Sequence, residues 1–123
     1  MQHSQKFLDL VNDAKKRIKE MTIEEMVKRQ KAAERLEFVD TREDNEWTAA
    51  HPKGARHMSR GIIERDIEKT VPDTSTMIVL MCGGGFRSAL SADSLQKMGY
   101  KNVWSLAGGW RAWKEAKLPE EKG

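Results

Sequence analysis

The sequence predicts an α/β protein, a parallel β-sheet with helices on both faces. Two observations carry this expectation. Leu36-Glu37-Phe38-Val39, Met77-Ile78-Val79-Leu80-Met81 and Asn102-Val103-Trp104-Ser105-Leu106 are short apolar runs. Runs apolar on both faces are the signature of buried parallel strands. The stretches between them place apolar residues at helical spacing, so strands and helices alternate along the chain.

In chain order, Phe7, Leu10, Val11, Ala14, Ile18 and Met21 form one stripe, and Asp9, Asp13, Lys16 and Glu20 take the opposite face. This predicts an amphipathic first helix over residues 3–19, with a short strand near Ile18 to Met21. Thr22 followed by Glu25 is a capping box and starts a second helix from Ile23 to about Ala33. The first apolar run follows, ending in Asp40-Thr41-Arg42. Ile62, Ile63 and Ile67 mark a helix before the second run. Ala89, Leu90, Leu95 and Met98 mark another, stopped by Gly99. Trp110 and Trp113 mark a last helix, closed by Pro119. The expected division is an N-terminal helical extension, residues 1–20, and one compact domain, residues 21–123.

Composition narrows the function classes. The 123 residues are 38% hydrophobic and 33% charged, as in a folded domain that buries a core without disulfides or metals. No apolar run approaches the roughly 18 residues of a membrane span, and the polar start of the chain has no signal-peptide core. A cytoplasmic protein with no membrane partner is expected. Net charge is +3, and residues 1–35 hold the whole excess, nine Lys/Arg against six Asp/Glu. So small a surplus reads as a solvated helix face, and nucleic-acid binding is not expected. The single cysteine excludes an internal disulfide, and His3, His51 and His57 have no ligand spacing to it, so no metal site is expected.

The chemistry concentrates between Met77 and Met98. The apolar run there ends at Cys82, and Gly83-Gly84-Gly85-Phe86-Arg87-Ser88 leads into a helix. Ligands of open α/β sheets bind at the carboxyl ends of strands, which is where Cys82 stands. Glycines let a loop wrap tightly around its own first side chain. Backbone N–H groups then converge as an anion nest, reinforced by the helix N-terminus. A cysteine there favours the thiolate, and Arg87 adds a planar fork of donors suited to anions. The alternative is an inert buried cysteine followed by a flexible turn. Phe86 is expected to line the pocket mouth. Ser88 either donates to the thiolate or caps the helix.

Cys82-x-x-x-x-Arg87-Ser88 resembles the active-site loop of the rhodanese family. The likeness extends to Val39-Asp40-Thr41-Arg42-Glu43 with Glu46, His51, Gly54 and Ala55, similar to the family's first motif. It extends also to Met98-Gly99-Tyr100-Lys101-Asn102-Val103 and to Leu106-Ala107-Gly108-Gly109-Trp110-Arg111-Ala112-Trp113, similar to its C-terminal motif. Three motifs in order cover roughly Leu36 to Pro119. The resemblance implies a rhodanese-like, five-stranded parallel sheet, no cofactor, and transfer of sulfane sulfur through a Cys82 persulfide. The donor would be one such as thiosulfate, and the acceptor cyanide, a thiol or a protein. It implies Cys82 and Arg87 as catalytic residues, with Gly83, Gly84, Gly85, Phe86 and Ser88 binding substrate. The loop interior carries no charge, where relatives that favour thiosulfate often carry a basic residue, and Pro52-Lys53 replaces the motif's Ile-Pro.

Asp40 is expected to support the site by accepting loop N–H groups, since a carboxylate facing a thiolate opposes its ionisation. Arg42 is expected to pair with Glu46 or another nearby carboxylate, and His51 to be structural. Two other classes compete. Cysteine phosphatases and arsenate reductases use a similar Cys…Arg cradle with one more residue between the two. A sulfur relay that delivers to a protein partner would look the same in sequence.

Overall fold

The computed structural model of the protein describes residues 3–123; Met1 and Gln2, the start of the expected extension, lie outside the described residues. The elements in order are α1 (Gln5–Lys15), β1 (Lys19–Met21), α2 (Ile23–Lys31), β2 (Glu37–Asp40), α3 (Asp44–Ala49), β3 (His51–Pro52), β4 (Arg56–His57), α4 (Ile63–Thr70), β5 (Ile78–Met81), α5 (Phe86–Lys97), β6 (Val103–Leu106), α6 (Gly109–Glu115) and β7 (Glu120–Glu121). The sheet has five strands in the order β1-β6-β5-β2-β4, and every pairing in it is parallel. This is the expected α/β class and sheet. A small antiparallel ribbon, β3 with β7, ties the C-terminal segment back to the residues after α3.

The sheet is buried on both faces because its central strand is apolar at every position. All four residues of β5 are fully buried. Ile78 and Leu80 point to one side, into a core with Val39, Ile63, Ile67, Leu95 and Tyr100. Val79 and Met81 point to the other, into a core with Met21, Met26, Phe38, Leu106 and Trp113. The period of two along a strand separates these layers.

The first helix is shorter than its apolar stripe. It ends at Lys15, and Met21 belongs to β1, where it fills the core on the α2 and α6 side. Leu10, expected in the stripe, is 55% exposed. Val11 and Ala14 are buried against Ala89 and Leu90 of α5, with Phe7, Ile18 and Phe86 around them. Leu10 faces away from this seam. Arg17 fixes the end of the segment with a bidentate pair to Asp93, at 3.0 and 2.9 Å, and this holds the Asp93 carboxyl below its usual range. Truncating Val11, fully buried, should cost about 2 kcal/mol. An unchanged melting temperature for Val11→Ala would show that this seam carries no stability.

Thr22 caps α2 by accepting the Glu25 N–H at 3.1 Å. That helix ends at Lys31, before Ala33, which has a positive φ of 54°. Among the described residues no helix is long and apolar enough to cross a membrane.

Candidate active site

β5 lies between β2 and β6, so Cys82, the next residue, emerges at the middle of the sheet's carboxyl edge. Its neighbours there are the ends of β2 and β6. Thr41 closes the β2 side, its N–H and hydroxyl both donating to the Met81 carbonyl, at 2.7 and 2.9 Å.

The loop turns back on the cysteine at Gly85, whose φ of 97° is left-handed and favours glycine. Gly85 is the N-cap of α5, and its N–H reaches Cys82 Sγ at 3.1 Å. The expected convergence of several N–H groups is narrower at the sulfur itself. Among the described residues this is the one backbone donor within hydrogen-bond distance of Sγ. A hydroxyl completes the setting. Ser88 Oγ lies 3.4 Å from Sγ and 2.8 Å from Ser105 Oγ of β6. Of the two readings for Ser88, contact with the sulfur is the one observed, and the cap is Gly85. Cys82 and Ser88 are buried.

A second helix start braces the loop, which the sequence does not announce. The N–H of Trp110 donates to the Cys82 carbonyl at 2.7 Å, and that of Arg111 to the Gly83 carbonyl at 3.1 Å. Gly109 makes this approach possible. A Cβ there would overlap the Cys82 carbonyl oxygen and lie 3.0 and 3.1 Å from the carbonyl carbons of Cys82 and Gly83.

Arg87 projects back over Gly83, its Nη2 only 3.0 Å from where a Cβ on that residue would stand. Its fork grips Glu46 of α3 at 2.8 and 3.2 Å. Glu46 Oε1 also accepts the Glu43 N–H at 3.0 Å. The Arg87 guanidinium holds the Glu46 carboxyl below its usual value of 4.5. Glu46 in turn raises the guanidinium of Arg87.

Arg42 finds a nearby carboxylate other than Glu46. It pairs with Asp40, with contacts from 2.8 to 3.1 Å. Both are buried. Asp40 also accepts the Arg42 N–H, as expected of a loop support. Arg42 Nη2 donates to the Ala50 carbonyl at 2.7 Å, and the guanidinium lies 4.6 Å from the Trp110 ring centre. The pair thus links β2, α3 and α6 beneath the site. His51 and His57 donate to the carbonyls of Trp47 and Arg42.

Glu46→Gln should lower stability by about 1 kcal/mol or less, since the pair is partly solvated. A carboxyl whose folded value is depressed stabilises fully above its unfolded value and loses that stability as pH falls through the folded value. The gap in melting temperature between wild type and Glu46→Gln should therefore be constant near neutrality and close below about pH 4.5. A gap that widens on acidification would contradict the pairing.

These elements enclose a pocket of about 940 Å³ with Cys82 on its wall. The loop contributes Gly83, Gly84, Phe86 and Arg87, α3 contributes Glu46, and α6 contributes Arg111. His3, Ser4 and Phe7 line it from the N-terminal segment. Of the expected site residues, Gly85 and Ser88 touch the sulfur, and Asp40 and Arg42 lie behind the wall. Glu46 and Arg111 sit inside the motifs already quoted, but nothing in the sequence marks His3 or Phe7 as site residues.

Residues 22–116 match the family described as Rhodanese-like domain. A thiosulfate sulfurtransferase of Haemophilus influenzae is 36% identical over 82 residues, 67% of this chain and 76% of that protein. The polysulfide-sulfur transferase homodimer of Wolinella succinogenes superposes with a TM-score of 0.80 at 27% identity, over 96% of this chain and 88% of that one. A Rhodopseudomonas palustris protein of unknown function, described as a possible tyrosine phosphatase, superposes with a TM-score of 0.86 at 27% identity, over 98% of each chain. With the match to residues 22–116 spanning most of its length, the chain belongs to the rhodanese-like domain family.

Proposed function

We propose that the protein is a sulfurtransferase that carries sulfane sulfur as a persulfide on Cys82. The observation that carries this reading is the seating of the sulfur. Cys82 Sγ stands at the head of a tight loop with the Gly85 N–H at 3.1 Å and the Ser88 hydroxyl at 3.4 Å. Both are suited to a sulfur anion.

In the first half-reaction, the Cys82 thiolate attacks the outer sulfur of thiosulfate. The S–S bond of the donor breaks, sulfite leaves with the electron pair, and Cys82 keeps the persulfide anion. In the second, cyanide attacks the terminal sulfur, thiocyanate departs, and the thiolate returns. No second cysteine exists to resolve the persulfide, so the acceptor comes from outside, as a small molecule or as a thiol on a protein. Arg87 faces the leaving oxyanion while Glu46 holds its fork in place. Fixed donors of this kind stabilise developing charge without reorganisation. The buried Asp40–Arg42 pair supports the loop and takes no part in bond making.

The phosphatase reading has one observation in its favour, the description of the Rhodopseudomonas relative. Loop length weighs against it. Four residues separate Cys82 and Arg87, a ring sized for one added sulfur atom, whereas a phosphoryl group needs donors set farther back. Intact-mass analysis after mixing with thiosulfate, and separately with mercaptopyruvate, should show the gain of one sulfur atom with at least one donor, reversed by cyanide or a reducing thiol. Efficient hydrolysis of an aryl phosphate with no persulfide formed would overturn the proposal.

A further inference from the structure

The pocket is much larger than the reactants just named. Thiosulfate and cyanide contain a handful of atoms, whereas about 940 Å³ lies in the range that encloses a drug-sized organic ligand. The surplus space is bounded on one side by aromatic rings. His3 packs on Phe86 with ring centres 4.6 Å apart and on Phe7 at 5.3 Å, and Phe7 lies 6.3 Å from Phe86. Lys15 Nζ stands 5.3 Å from the Phe86 ring centre, holding that ring from the α1 side. The expected boundary near residue 20 and the matched span from residue 22 both leave α1 outside the domain in sequence. In space it reaches the rim of the Cys82 pocket.

The charged groups of the pocket are not equivalent. Arg87 is already paired with Glu46. Arg111, also on the pocket wall, has no carboxylate within ion-pair distance among the described residues. It leaves one uncommitted guanidinium on the wall of the pocket that Cys82 and the aromatic rings also line.

Resting on the sulfurtransferase reading, we infer that the N-terminal segment builds an acceptor subsite, in which His3, Phe7 and Phe86 receive the apolar body of an organic thiol and Arg111 pairs with an anionic group that it carries. The acceptor thiolate enters along this wall and attacks the terminal sulfur of the Cys82 persulfide. The persulfide S–S bond breaks, Cys82 departs as thiolate, and the acceptor leaves as its own persulfide anion. No oxidant or reductant is consumed. Cyanide, which spans neither wall nor cation, gains nothing from the subsite.

The test uses the full chain, saturating thiosulfate, and sulfite release as one readout for three acceptors: 4-mercaptobenzoate, thiophenol, which lacks the carboxylate, and cyanide. Phe7→Ala and His3→Ala should each raise KM for both aryl thiols and lower the ratio of kcat/KM for aryl thiol to that for cyanide. A change on the order of tenfold is expected for loss of one such contact. Phe7→Leu should recover most of it. Arg111→Gln should raise KM for 4-mercaptobenzoate and leave the KM for thiophenol within about twofold. Equal losses on all three acceptors, or an unchanged ratio in both alanine variants, would overturn the subsite while the sulfurtransferase reading stands. A wild-type protein that forms no persulfide and releases no sulfite with any acceptor would overturn the parent reading.

Discussion

Replacing Cys82 with serine should leave a folded protein that transfers no sulfur. The two side chains share their shape, and the surroundings of Sγ are met equally by a hydroxyl. Ser Oγ can accept the Gly85 N–H and share a hydrogen bond with Ser88. The melting temperature should therefore move by no more than a few degrees. Chemistry should not survive. A serine hydroxyl needs a base to become a nucleophile, and among the described residues the one side chain within hydrogen-bond distance of the Cys82 sulfur is the Ser88 hydroxyl, which is not a base. The ring nitrogens nearest in sequence motif, on His51 and His57, are committed to the carbonyls of Trp47 and Arg42. Asp40 is buried against Arg42. Nor does an alkoxide form a stable adduct with sulfane sulfur. Loss of the nucleophile should lower turnover by on the order of a thousandfold or more, with no mass increase after thiosulfate. Residual turnover within tenfold of wild type would place the chemistry elsewhere.

Gly109→Ala should be the most damaging change of a single methyl group at the site. Two costs add there. The φ of Gly109 is +47°, a region in which an L-residue loses about 1–2 kcal/mol. The methyl group would also collide with the Cys82 carbonyl, and that carbonyl cannot retreat. It accepts the Trp110 N–H, and it follows directly on β5, the strand buried in the middle of the sheet. The expected loss is about 3–5 kcal/mol. If the fold persists, the loop must shift, and a displacement of the nucleophile near 1 Å costs on the order of a hundredfold in rate. Gly99→Ala separates the two costs. Gly99 has a φ of +99° but nothing within 4 Å of an added Cβ, so only the backbone strain applies. Comparing denaturant midpoints and sulfite-release rates for the two variants is the measurement. Equal effects would mean that contact between α6 and the Cys82 loop does not demand the glycine.

Much of the architecture was legible in the residues because its signals are local. Three apolar runs became β2, β5 and β6 within a residue or two, since a strand buried on both faces has no polar positions to disguise it. The Thr22 cap, the Gly99 stop and the loop from Cys82 to Arg87 were readable because each depends on a few adjacent residues. The elements that escaped are short. α3 has six residues, and β3, β4 and β7 have two each, too few for a period to emerge. Leu10 misled for a related reason. A stripe shows that a helix has an apolar side, and only its partner decides how wide the covered seam is. Here α5 covers Val11 and Ala14 and leaves Leu10 outside.

The sequence by itself determined the cysteine at the strand end, the glycine turn that wraps it, the arginine that ends the loop, and the α/β frame that presents them. All of these lie within one stretch of chain and follow from covalent geometry and local preference. Only the tertiary structure decided who partners whom. Arg42 could have met Glu46, but β2 returns it to Asp40, and α3 turns Glu46 toward Arg87, 41 residues away. Ser105 reaches Ser88 because β6 lies beside β5. His3 and Phe7 reach the Cys82 pocket because α1 packs along α5. Such contacts depend on the relative placement of distant segments, which is set by burying many apolar residues at once and leaves no mark in the few residues that happen to meet.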